Sequence, residues 1–62
     1  MSYLKEVRRK KHLTQKDAAA QLGFSRSRFA QIEGGFITPS YSFLLAVKKK
    51  FGKNVDMNKF FE

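Results

Sequence analysis

Apolar residues recur along this chain at helical spacing, and the breaks in that pattern mark the elements. Leu4 and Val7 stand three apart in a charged segment, which predicts a first helix over Ser2–Lys11 with Ser2 as N-cap. Its last turn, Arg8-Arg9-Lys10-Lys11, puts cations where the negative end of the helix dipole lies. Thr14 then caps a second helix, Gln15–Leu22, and Asp17 three residues on resembles a capping box with Asp in place of Glu. Gly23 ends it, being suited to a left-handed conformation. Ser25 caps a third helix reaching Glu33, with Phe29 and Ile32 as its apolar anchors, and Gly34-Gly35 stop it. Thr38-Pro39 reads as an N-cap followed by proline at the first helical position, opening a fourth helix to about Phe51 that Gly52 stops. A short fifth helix spans Asp56–Phe61. No run alternates β-branched residues as a strand would, so the predicted class is all-α with short connections.

At 62 residues the chain is one small domain, residues 1–62. Such a chain buries only about 60% of its unfolded surface, so modest stability is expected unless it dimerises. A hydrophobic content of 42% with 15% aromatics suffices for one core and argues against disorder. Two aromatic-rich clusters, near 36–43 and 51–61, are candidates for contact with a second chain. The absence of cysteine excludes disulfides and cysteine metal sites, and the lone His12 cannot build a metal site by itself. The longest apolar run, Phe43–Val47, is too short to span a membrane. Lys5–Lys11 is charged where a signal peptide would be apolar, so an intracellular, soluble protein is expected. With one histidine and scattered acids there is no catalytic set, and neither enzymatic activity nor a cofactor is expected.

Charge narrows the partner. Thirteen Lys and Arg against five acids give +8, which points to an anion, most often nucleic acid. A protein of the membrane surface would need one helix with a wide apolar face opposite a wholly basic one. Here the cations are spread over several helices.

The third helix carries the candidate chemistry. At about 100° per residue, Ser25, Arg28, Phe29 and Ile32 fall on one side and Arg26, Ser27, Ala30 and Gln31 on the other. That second stripe is narrow, lacks bulky apolar residues and is rich in hydrogen-bonding groups. Arginine can give two bonds to guanine and glutamine two to adenine; serine adapts to either, and Ala30 permits close approach or touches a thymine methyl. Free amides at the helix N-terminus favour phosphate. Ala19 in the second helix permits a close crossing, and Gly23 makes the tight turn.

Residues 15–34 resemble the helix-turn-helix of the phage-repressor/Cro type, the XRE family. Gln15, Ala19, Gly23, Phe29, Ile32 and Glu33 carry the spacing; Leu4, Val7, Arg8, Leu13 and Thr14 match its first helix and Leu-Thr-Gln entry. Pro39-Ser40, Leu44, Val47, Phe51, Gly52 and Val55 match its fourth helix and the segment after it. The resemblance implies a five-helix, lambda-repressor-like domain whose second and third helices bind DNA. It places Arg26, Ser27 and Gln31, with Ala30, on base edges. It puts Gln15 on a backbone phosphate, bracing the first reading side chain, with Lys16, Ser25 and Arg28 on flanking phosphates. Arg8 and Glu33 stand where some repressors pair the first helix with the reading helix. Val55 and Phe60 would close the core.

The chain departs from the family in four places. The loop before Pro39 lacks the usual Lys or Arg, so phosphate contact there falls to Thr38, Ser40, Tyr41 or backbone amides; Phe36 and Ile37 either pack locally or form a protein contact. Gly34 replaces a polar residue. Lys48 stands where a small buried residue is usual, so either its stem snorkels to water or the fourth helix is rotated to bring Ala46 inward. His12 replaces the common Gly or Asn as a turn residue. The expected function is a bacterial or phage transcriptional repressor, cytoplasmic, binding double-stranded DNA as a homodimer through Met57 and Phe61, or through Phe36 and Ile37. No small-molecule ligand is expected. The alternative is a DNA-binding antitoxin or accessory protein that grips another protein with Phe36, Ile37, Phe60 and Phe61.

Overall fold

The computed structural model describes residues 2–52, 55, 56, 58 and 59. Four α-helices follow in order: α1 Ser2–Lys10, α2 Gln15–Leu22, α3 Arg26–Glu33 and α4 Tyr41–Phe51, with no strand among the described residues. α3 packs on both α1 and α2, and α2 also packs on α4.

Hydroxyl caps start three of the helices. Thr14, Ser25 and Ser40 have extended backbones, and their Oγ atoms accept from the amides of Asp17 (3.1 Å), Arg28 (3.1 Å) and Phe43 (3.2 Å). The fourth helix therefore begins two residues later than Thr38-Pro39 predicts. Ser40 offers the same cap as Thr38, and Pro39 falls just outside the helix, where its missing N–H costs nothing.

α1, α2 and α3 end alike. His12 (φ 57), Gly23 (φ 80) and Gly35 (φ 80) take the left-handed conformation. The following amide reaches back to the carbonyl five residues earlier: Leu13 to Arg8 (3.2 Å), Phe24 to Ala19 (2.9 Å) and Phe36 to Gln31 (2.9 Å). These bonds satisfy carbonyls that a helix end leaves open. In the first two cases the apolar residue after the turn packs against the core; in the third, Phe36 is 82% exposed.

Leu4 and Val7 from α1, Ala18, Ala19 and Leu22 from α2, Phe29 and Ile32 from α3, and Phe43, Val47 and Phe51 from α4 form the core. The small Ala18 and Ala19 let α2 approach its neighbours closely. Phe43 meets Phe24 edge-on at 5.2 Å and Phe29 at 6.1 Å. The i, i+4, i+8 spacing of Phe43, Val47 and Phe51 sets the rotation of α4. Ala46 and Leu44 flank that seam half-buried, while Lys48 and Tyr41 are exposed. Of the two arrangements open for Lys48, α4 adopts the one with Ala46 inward.

The predicted fifth helix is not present as an α-helix in the described residues. Asp56 instead starts a single tight turn. Its carboxylate accepts from the Asn58 amide (3.0 Å) and its carbonyl from the Lys59 amide (3.1 Å). An aspartate that captures nearby amides competes with helix in this way. The Asp56 amide donates to the Tyr3 hydroxyl (2.7 Å), which ties the segment to α1, and Val55 packs on the core. Met57, Phe60 and Phe61 lie outside the described residues.

Candidate nucleic-acid interface

α2 and α3 form a two-helix unit joined through Gly23. Buried Phe29 and Ile32 fix the rotation of α3, and Arg26, Ser27 and Gln31 are then exposed, with Ala30 half-buried between them. Arg28, on the same side as Phe29 in the helical projection, is nevertheless exposed; its guanidinium lies over the Phe24 ring at 5.9 Å. Ser25 spends one acceptor position on the α3 cap and keeps its hydroxyl proton for another partner.

Arg8 and Glu33 hold the unit to α1. Arg8 Nε donates to Glu33 Oε2 (2.9 Å) and Nη2 to Oε1 (3.0 Å), a two-pronged guanidinium–carboxylate pair. Arg8 Nη1 also donates to the Leu13 carbonyl (2.8 Å), so one side chain fastens α1, the α1–α2 turn and the end of α3. Glu33 is the one buried charged residue among those described. The hydrogen bond to Glu33 raises the Arg8 pKa above its ordinary value, against the opposing effect of burial. Gln15 Nε2 donates to Glu33 Oε1 (3.3 Å), which brings the first residue of α2 into the same network.

An open groove lined by Arg8, Thr14, Gln15, Lys16 and Arg26 runs beside this network. With Arg8 engaged by Glu33, the cations on the groove available to an anion are Lys16 and Arg26. Thr38, Ser40 and Tyr41 stand together at the entry to α4, Ser40 as its cap and Tyr41 77% exposed. Ile37 is exposed.

Positive charge is unevenly placed. Residues 14–47 carry Lys16, Arg26 and Arg28 against Asp17 and Glu33, so most of the surplus lies in α1 and after Val47. Lys11 reaches over the Phe51 ring at 5.4 Å, which brings the basic ends of α1 and α4 together.

Two features escape a reading of the sequence. One is the Leu13 carbonyl as third partner of Arg8, a backbone atom with no residue signature. The other is Gly34, which serves as more than a helix stop. An ideal Cβ at Gly34 would lie 2.8 and 2.9 Å from Cε2 and Cδ2 of Phe36. The ring occupies the space a side chain at 34 would need.

No helix among the described residues is long and apolar enough to cross a membrane. No curated protein and no solved structure matched the chain. A family model described as a helix-turn-helix domain matches residues 2–52, which spans all four helices. That family points to DNA as the partner and to transcription regulation as the role, in keeping with an exposed polar stripe on the second helix of the unit. The chain belongs to the helix-turn-helix domain family.

Proposed function

We propose that this protein is a sequence-specific transcriptional regulator of the phage-repressor/Cro type, acting as a repressor in a bacterial or phage-infected cytoplasm. α3 enters the major groove of double-stranded DNA. The observation that carries this reading is the outward stripe of α3, in which Arg26, Ser27, Ala30 and Gln31 follow one another without a bulky apolar residue. The network of Arg8, Glu33 and Gln15 supports it by fixing the position of α3.

Arg26 and Gln31 read base edges, Ser27 and Ala30 allow close approach, and Gln15, Lys16, Ser25 and Arg28 hold phosphates around them. Thr38, Ser40 and Tyr41 touch the backbone at the entry to α4. Gln15 keeps a second amide proton for phosphate while the first engages Glu33. One such unit covers a half-site, so two copies bind a near-palindrome and exclude polymerase by occupancy. No bound cofactor is needed for this mechanism.

Selection of bound duplexes from a random pool tests the reading. The expected motif has twofold symmetry with half-site centres about one helical turn apart. A pool with no enriched motif overturns sequence-specific binding. A single asymmetric motif, bound one to one, overturns the homodimer.

A further inference from the structure

A lone exposed phenylalanine is ordinary on a protein surface. Phe36 is unusual because it has a seat. Its amide hangs from the Gln31 carbonyl at 2.9 Å, and its ring fills the place of the missing side chain at Gly34. The ring is thereby held on α3, yet is 82% exposed.

The direction in which that seat faces gives the ring a use. On a helix of 3.6 residues per turn, position 34 lies about 20° from Ser27 and between Ala30 and Gln31. It is the next place along the outward stripe. A helical Cβ leans toward the N-terminus, so a ring at that point lies close to Ala30, whose carbonyl is 3.2 Å from the ideal Cβ at Gly34. The stripe therefore continues past Gln31 with an aromatic surface supplied from the loop.

The major groove offers one apolar group to such a surface, the C5-methyl of thymine. We infer that Phe36 is a specificity-determining residue of the DNA interface, making apolar contact with thymine methyl groups at the edge of the half-site beyond the base pair read by Gln31. This rests on the reading of α3 as the major-groove helix. It takes Phe36 away from the subunit contact as its other candidate role.

The test uses a duplex carrying one half-site from the selected motif, at low salt, with thymines at its edge replaced one at a time by deoxyuridine. The unmodified protein should lose roughly fourfold in affinity at one or two of these positions, the worth of one buried methyl. Phe36→Ala should bind the thymine duplex that much more weakly and show no difference between thymine and deoxyuridine. Its circular dichroism should match the parent, because an exposed ring is removed. An equal loss by Phe36→Ala on both duplexes overturns the methyl contact. Unchanged half-site affinity, with cooperativity lost on the two-half-site duplex, assigns the ring to a second copy and overturns it as well. Arg26→Ala separates the underlying reading: it should relax the motif at its own base pair and keep the sensitivity to deoxyuridine. A parent protein without sequence-selective binding overturns the functional reading and this inference together.

Discussion

Arg8 and Glu33 stand 25 residues apart and meet through two hydrogen bonds of 2.9 and 3.0 Å that join α1 to the end of α3. Their side chains are 14% and 5% exposed. The pair thus lies between the exposed kind, worth about 0–1 kcal/mol, and the buried kind, whose breaking costs about 3–5 kcal/mol. Glu33→Ala should cost roughly 2 kcal/mol in urea denaturation. Arg8→Lys should itself be destabilising, because an ammonium cannot hold both carboxylate oxygens and Leu13 as the fork does. Because the Arg8 pKa is raised on folding, the stability it adds is complete below its unfolded value and lost only as strong alkali titrates it; Arg8 therefore adds no slope near neutral pH. If neither substitution moves the denaturation midpoint, the pair contributes nothing to stability.

Reading and holding should separate in binding experiments. Arg26→Ala should cost about 1–3 kcal/mol on the selected duplex and relax preference at one position of each half-site. Lys16→Ala should weaken all duplexes alike and reduce the slope of log affinity against log salt by about 0.9. Motif and affinity unchanged in both Arg26→Ala and Gln31→Ala would remove α3 from the groove.

The start of α4 can be tested by its cap. Ser40→Ala should cost about 1 kcal/mol through loss of the bond from the Phe43 amide, whereas Thr38→Ala should leave thermal stability nearly unchanged. The reverse order of the two midpoints would place the cap at Thr38.

His12 holds φ 57 at the end of α1 without glycine's freedom. His12→Gly should stabilise the fold by about 0.5–1 kcal/mol, and Gly23→Ala should destabilise it by about 1 kcal/mol through the same conformational cost. There is open space around a Cβ at Gly23, so strain in φ, and not a clash, is the cause. A neutral Gly23→Ala would show that the turn relaxes.

Much of the architecture was legible because it is local. The spacing of Leu4 and Val7 and of Phe29 and Ile32 set the core faces of α1 and α3, and all four are buried. Thr14, Gly23 and Ser25 act within one turn of themselves, so their types alone reveal the ends of α2 and the start of α3. The misreadings came where two local signals competed. Ser40 and Thr38 are both hydroxyl caps two residues apart, and Pro39 after Thr38 offsets the slightly better cap that serine makes. Asp56 can open a helix or a tight turn, and among the described residues it opens a turn.

By itself the sequence determined the helical class, the positive charge, the turn between α2 and α3, and the polar residue types on the outward stripe of α3. These come from spacing and side-chain chemistry within a few residues. Only the tertiary structure decided the rest. It rotated α4 so that Ala46 faces inward and Lys48 faces water, because the large Phe43 and Phe51 take the core first. It gave Arg8 the Leu13 carbonyl as a third acceptor beside Glu33, and it laid the Phe36 ring in the space left by Gly34. Each depends on how helices pack, on a backbone atom or on a volume left empty, and none of these has a signature in the order of residues.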